Sequence, residues 1–404
     1  MMGPRLVLIC QTPFTRRDEA RFGLDVLKAR GIFIEVWDVS DILLPKSRLQ
    51  WYEAPQIKPR NIKSLLELHS MVNSLNSRDY LLLSAGLDPT FWWRQPQTAE
   101  AFWGAISDTE CQVGALRIGS IPSTSRWSFR RVIRAHNWRP PSLSLSEVRR
   151  RLRIGNQDTN PAKSADMQGP PHLDFVWADT NIDALDPRLI GGATKVLYIH
   201  SLDYDQVLKV GTALGTEPII AFIDCMGPSH PDYATHSVDY HLPMTNYRDK
   251  VCRALDKLED KTGLTAVIAA HPRAQPGSLD EWYGGRKVLY QNTANLVARC
   301  SLVALADPST AVGLAIAMHK PILFFTSVTF ELENRSYLKK FSRQLRAPLI
   351  NIDKSPRIRI PSIQLEAYAK YMERYVKRQG TPEEPFWSVV ADHVLGDVDE
   401  GNPS

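Results

Sequence analysis

The sequence of 404 residues contains no run of eighteen apolar residues, so no segment of it reads as a membrane-spanning helix. The apolar stretch near its start, Leu6 to Cys10, is too short for a signal-peptide core and reads instead as a first buried strand. Cysteine is scarce: Cys10, Cys111, Cys225, Cys252 and Cys300 are odd in number and form no Cys-x-x-Cys pair. That argues against a disulfide framework and a zinc site, and for a reducing cytoplasm. No Gly-x-Gly-x-x-Gly follows the first strand, which disfavours a dinucleotide cofactor. A P-loop, a Gly-x-Ser-x-Gly elbow and a His-Glu-x-x-His are also missing, removing the commonest phosphotransfer, hydrolase and metalloprotease readings. No Asp-x-Asp reads clearly as a holder of a metal-bound sugar nucleotide, so neither a metal nor a cofactor is expected. The net charge of +5 permits anionic ligands or an anionic membrane surface, but falls short of the footprint of a nucleic-acid binder.

What is present is ordinary globular composition, 43% hydrophobic and 23% charged, over a length that suits two domains. Short apolar runs alternate with amphipathic stretches, the pattern of βα units on a mainly parallel sheet. Strands are expected at 5–10, 32–37, 80–84, 112–117, 173–177 and 195–199, with helices over 17–29 and 204–210. A basic, then polar, stretch from Arg130 to Gln168 reads as a helix and a surface excursion. Gly211 to Glu217 reads as a linker. A more regular series follows it, with strands at 219–223, 266–270, 287–290, 302–305 and 321–325 and helices over 247–261, 292–299 and 310–318. Ile363 to Arg378 reads as a helix, with Tyr368, Tyr371, Met372 and Tyr375 at helical spacing. The expected division is a Rossmann-like acceptor domain over 1–212 and a Rossmann-like nucleotide-sugar domain over 217–362. Helices returning to the first domain over 363–396 and a tail over 397–404 complete it. This α/β fold class is GT-B-like, two Rossmann-like domains facing across a cleft.

His271-Pro272-Arg273 follows the apolar run 266–270 directly, and open parallel sheets bind ligands beyond the carboxyl ends of their strands. Pro272 restricts His271 to an extended conformation, and His271 and Arg273 can both donate to phosphate oxygens. A second strand ends near Leu305, and a helix rich in small residues is expected to open at Ser309 or Thr310, where unpaired N–H groups favour an anion. Asp224 ends a strand beside the linker; it and His230 are candidates for a base that takes an acceptor hydroxyl proton. Gln11, Thr12 and Arg16, just after the first strand, are candidates for the acceptor side. Asp203 is a further one, though it reads more readily as the N-cap of the next helix.

The order strand, His-Pro, strand, Ser/Thr, small-residue helix, Lys-Pro resembles bacterial GT-B glycosyltransferases of surface polysaccharide synthesis, the sialyltransferases and polysialyltransferases in particular. The resemblance covers about residues 217–330. It implies that His271, with Ser309 and Thr310, contacts the phosphate of a nucleotide-sugar donor, and gives His319-Lys320-Pro321 a structural role. In that family an acid followed by glycine supplies the base, whereas Cys225 and Met226 separate Asp224 from Gly227 here. The implied function is inverting, metal-independent transfer of a sugar, such as a CMP-linked acidic sugar, to a glycan or lipid-linked glycan. The expected setting is the cytoplasm, with peripheral contact at the inner face of the membrane through the basic aromatic helix near the end. Nucleotide-sugar 2-epimerases, polyol-phosphate transferases and non-catalytic glycan- or nucleotide-binding proteins are the alternatives.

Overall fold

A computed structural model of the chain describes residues 4–43, 53–84, 96–107, 109–122, 172–180, 182, 185, 189–211, 216–230, 243–354 and 358–400. The basic stretch 130–168, most of the expected linker and residues 401–404 lie outside them.

Seven strands form the first sheet: β1 (Arg5–Cys10), β2 (Phe33–Asp38), β3 (Arg60–Asn61), β4 (Tyr80–Leu83), β5 (Gln112–Arg117), β6 (Phe175–Ala178) and β7 (Lys195–Tyr198). Six form the second: β8 (Ile219–Ile223), β9 (Thr265–Ala269), β10 (Val288–Leu289), β11 (Leu302–Leu305), β12 (Ile322–Thr326) and β13 (Leu349–Asn351). The spatial orders are β3-β2-β1-β4-β5-β6-β7 and β10-β9-β8-β11-β12-β13, and every pairing within them is parallel. Each order contains the 3-2-1-4-5-6 sequence of a Rossmann sheet. The chain therefore has two parallel-sheet α/β domains, the expected fold class.

Both sheets are buried on both faces, as parallel sheets with crossover helices must be. Along β1, Val7 and Ile9 enter one core while Leu6, Leu8 and Cys10 enter the other. Along β8, Ala221 and Ile223 alternate with Ile220 and Phe222 in the same way.

The expected first helix is two, Arg16–Arg21 and Leu24–Ala29, broken at Gly23. Gly23 has φ +57°, and a Cβ there would lie 2.2 Å from the Trp387 ring. Trp387 belongs to the last helix, Phe386–Glu400, which packs Phe386, Val390 and Val394 into the face of the first sheet. The return to the first domain is made by that helix. The preceding segment stays with the second core: helix Leu365–Tyr371 and its π-helical continuation Met372–Val376 bury Tyr368, Tyr371 and Tyr375 there. The aromatic stripe of that segment is internal, and the Tyr368 hydroxyl donates to the Lys320 carbonyl at 2.8 Å. The segment ends at Lys377 because the chain there becomes extended and bridges His200 beyond β7. Helix Leu202–Val210 precedes the linker yet places Val207 in the second core, so the crossing begins before residue 211.

Gly23→Ala adds both a left-handed strain and a clash with Trp387. It should lower stability by about 2–4 kcal/mol, read as a fall in thermal or denaturant midpoint, with the last helix released first. An unchanged midpoint would contradict the packing described.

Candidate functional site

The strand order reverses between β1 and β4 in one sheet and between β8 and β11 in the other, and crevices open at the carboxyl ends of strands at such points. Asp224 lies one residue beyond β8 and is 1% exposed. Its Oδ1 accepts from the Tyr283 hydroxyl at 2.7 Å and from the Met226 N–H at 3.0 Å. Its Oδ2 is buried and has no hydrogen bond among the described residues. Met226 adopts φ +60°, and the Asp224–Met226 bond closes the turn that holds it there. The turn continues through Gly227, where a Cβ would fall 2.7 Å from the Tyr247 ring, and delivers His230. Asp224 is thus the anchor of the loop that carries His230.

The His230 ring meets the His271 ring edge to face, with centroids 4.9 Å apart and planes at 69°. Beyond β9, Pro272 folds the chain so that the Arg273 N–H donates to His271 Nδ1 at 3.1 Å. Accepting at Nδ1 places the proton of a neutral ring on Nε2.

Asp307, two residues beyond β11, is buried as well; it accepts from the Tyr247 hydroxyl and, at 3.0 Å, from Asn334 Nδ2. Burial pushes Asp224 up to about 6, against the Tyr283 bond. It pushes Asp307 up to about 6 too, against the Tyr247 bond and with help from the Asp224 charge.

The helix after β11 runs Val312–Ala317, opening two residues later than expected because Thr310 and Ala311 form a turn. The two hydroxyls part there. Ser309 Oγ accepts from the Ala311 N–H at 3.2 Å and lies near the buried Cys225 thiol. Thr310 reaches the other domain: its methyl group would lie 3.7 Å from a Cβ on Gly119, and its hydroxyl is near enough to Asp203 to favour the charged carboxylate. Asp203 is not an N-cap: Ser201 precedes the helix and Asp203 lies in its first turn. Burial raises the Asp203 pKa, against the nearby Thr310 hydroxyl and the charges of Arg21 and Arg17. Asp203-Tyr204-Asp205 does have Asp-x-Asp spacing, but the helix separates the two carboxylates. Asp205 accepts from the Phe386 N–H at 2.8 Å and lies 3.7 Å from His200 Nε2.

On the first domain, Gln11 follows β1 directly, and its Nε2 is buried without a hydrogen bond among the described residues; Thr12 beside it is half-buried. Arg16 turns away to pair with Glu19, leaving its neighbour Arg17 as the residue that faces the second domain. Burial, then the charges of Arg21 and Arg273, lower the Arg17 pKa to about 10. The sequence carried a signal for this: Arg17 and Arg21 stand four apart on one helix face. Buried polar atoms without hydrogen bonds among the described residues include those of Gln11, Ser201 and Asp224, each within three residues of the carboxyl end of a strand, and of Arg17 in the helix after β1.

Contacts between the domains use the same edges. Besides the approach of Thr310 to Gly119, the Thr180 hydroxyl beyond β6 donates to the Arg374 carbonyl at 2.7 Å, and the Ser201 N–H beyond β7 to the Val376 carbonyl at 2.6 Å. The carboxyl ends of the two sheets therefore face each other, and the sites after β1, β8, β9 and β11 meet between them. A separate cavity of about 380 Å³, lined by Arg346 to Asn351 with Arg359, lies at the β13 edge and contains none of these residues.

No protein-family profile matches the chain, and no curated protein does. Solved structures that resemble it include a spinosyn forosaminyltransferase, at 9% identity and TM-score 0.43, covering 98% of this chain and 95% of that one. MurG from Acinetobacter baumannii overlaps at 10% identity and TM-score 0.44, with 98% and 100% covered. A UDP-N-acetylglucosamine 2-epimerase from Listeria monocytogenes does so at 14% and 0.44, with 99% and 97% covered. The overlaps are loose in each case, and the fold assignment stands on the strand orders. Among the described residues no helix is long and apolar enough to cross a membrane, and no group of three His, Cys, Asp or Glu side chains is arranged to hold a metal ion.

Asp224 and Asp307 carry raised folded pKa values, so the folded state binds more protons than the unfolded one between about pH 4 and 6, and stability falls as pH rises through that window. Asp224→Asn keeps an oxygen for Tyr283 and Met226 and removes the buried charge. It should flatten this slope and gain on the order of 2 kcal/mol relative to the parent above pH 6, measured by urea unfolding at pH 4.5 and 7.5. A slope identical in both proteins would contradict the burial of an ionised Asp224.

Proposed function

We propose that the chain is an enzyme, an inverting glycosyltransferase that takes a sugar from a nucleotide donor without a metal ion. The observation that carries the reading is the meeting of His271 and His230 at the strand ends of the second Rossmann sheet, with the first sheet's strand ends opposite. In the proposed chemistry the donor phosphate sits on His271 Nε2, with Arg273 and Ser309 beside it. An acceptor hydroxyl approaches from the side of Gln11 and Thr12. The bond from the acceptor oxygen to the anomeric carbon forms as the bond from that carbon to the phosphate oxygen breaks. The acceptor proton passes to His230, and the leaving phosphate keeps the electron pair and takes a hydrogen bond from His271. Asp224 acts by holding the His230 loop. Thr310 is assigned to the contact with Asp203 and so to the spacing of the domains. The resemblance in the His-Pro and Ser/Thr segments supports a CMP-linked acidic sugar as donor and a surface glycan or lipid-linked glycan as acceptor, with the enzyme in the cytoplasm or at the inner face of the membrane.

The test is product formation from CMP-, UDP- and GDP-sugars with an acceptor glycan, read together with nucleotide affinity. His271→Ala should weaken nucleotide binding about tenfold or more, as expected for loss of a charge-assisted phosphate contact. His230→Ala should leave nucleotide affinity near that of the parent and lower turnover by about 10²–10⁴-fold, the usual range for a general base. Nucleotide binding unaffected by His271→Ala removes that residue from the donor site. Nucleotide released without any acceptor points instead to epimerisation or hydrolysis.

A further inference from the structure

The basic aromatic helix near the end of the chain buries its tyrosines in the second core, so it has no aromatic face to offer a membrane. The segment that leads into it is different. Among the described residues seven large apolar side chains are exposed, and three of them, Ile360, Ile363 and Leu365, fall within six residues. Their exposures are 56%, 37% and 65%. Ile358 packs on the second domain's core and Pro361 is buried, which seats the segment on the protein and leaves those three in solvent. The segment passes the outer edge of β13, where Arg359 joins Arg346 to Asn351 in lining the cavity of about 380 Å³.

The charges beside these apolar side chains are mostly positive. Arg346, at the end of helix Leu332–Leu345, lies 3.4 Å from Glu366, and Glu366 also accepts from Lys370 at 2.7 Å. Arg343 in the last turn of that helix and Arg359 are exposed, and neither side chain has an ion pair among the described residues. Four cations and one carboxylate thus stand beside three exposed aliphatic side chains. Protein interfaces gather apolar residues at a centre depleted of charge, whereas here the two kinds are interleaved along the chain. Interleaving suits a lipid surface, where aliphatic tips enter the acyl boundary and long Arg and Lys stems carry their charges to the phosphate level.

We propose that Ile360, Ile363 and Leu365, with the cations around them, dock the protein on an anionic lipid surface. The proposal goes beyond the reaction, which uses none of these residues. It rests on the glycosyltransferase reading only for what the membrane would supply, a lipid-linked acceptor.

The full-length protein is sedimented with phosphatidylcholine vesicles, with and without about 30% phosphatidylglycerol, at low salt and at about 0.5 M salt. It should bind the anionic vesicles at low salt, bind the neutral ones at least about tenfold more weakly, and lose anionic binding as salt rises. Ile360→Ser/Leu365→Ser and Arg343→Gln/Arg359→Gln should each weaken anionic binding about tenfold or more. Leu66→Ser, at an exposed leucine of the first domain, should bind as the parent does. All the changed side chains are exposed, so melting temperatures should stay at the parent value. If a double variant melts lower, Ile363→Ser and Arg359→Gln tested singly give the same comparison. The proposal is overturned if the parent binds no anionic vesicle, or if the patch variants bind as the parent does. It is overturned too if the parent is a dimer without lipid and Ile360→Ser/Leu365→Ser a monomer by light scattering, which assigns the face to a second copy of the chain. CMP affinity is measured alongside. CMP binding without vesicle binding sinks this surface and spares the donor reading, and vesicle binding through the patch without CMP binding does the reverse.

Discussion

A parallel strand delivers its loop, and whatever polar side chains that loop carries, at its carboxyl end; here two sheets bring those ends face to face. Everything else about the site follows from that constraint. Side chains that would be solvated at the rim of a single sheet are enclosed between two, so Gln11, Arg17, Ser201 and Asp224 have buried atoms with no hydrogen bond among the described residues. Buried polar groups are ordinarily paired, and leaving one unpaired costs about 1–3 kcal/mol. Their concentration near the facing strand ends suits a site that takes a polar ligand, beside the His271–His230 pair on which the glycosyltransferase reading stands.

The two domains are joined differently from the way each is built. Each sheet is enclosed by apolar residues on both faces, while across the gap Thr180 bonds Arg374, Ser201 bonds Val376, and Ile121 packs on the second core. Hydrogen bonds of this kind contribute about 0.5–1.5 kcal/mol each, so opening the gap costs far less than unfolding either core. The last helix limits the movement. Its Trp387 lies against Gly23, and its indole N–H donates to the Arg21 carbonyl at 2.8 Å, on the same helix that presents Arg17. The position of Arg17 is therefore tied to the far end of the chain.

Much of the architecture was legible because hydrophobic periodicity reports burial. The strands 5–10, 112–117, 219–223 and 302–305 stand where continuous apolar runs placed them, and the second half alternates strands and helices as its spacing implies. Other features were set by partners distant in sequence. The break at Gly23 depends on a tryptophan more than three hundred residues later, and the π-helical end at Val376 on a bridge to His200. The same limit governs the site. His271 and His230 were readable as residues beyond strands, but their ring contact was not. Arg16 and Arg17 are alike in sequence, but one residue turns a helical side chain by about 100°, and only the packed helix sets Arg16 against Glu19 and Arg17 toward the second domain. Asp224 looked like a base by position, and its bonds to Tyr283 and Met226 make it an anchor.

The central claim is that the facing strand ends hold a nucleotide by its phosphate. A crystal structure of the full-length chain grown with CMP tests it most directly. The account predicts the phosphate between the two sheets, with an oxygen about 3 Å from His271 Nε2. A nucleotide bound with its phosphate away from His271, or bound outside the space between the two sheets, would contradict it.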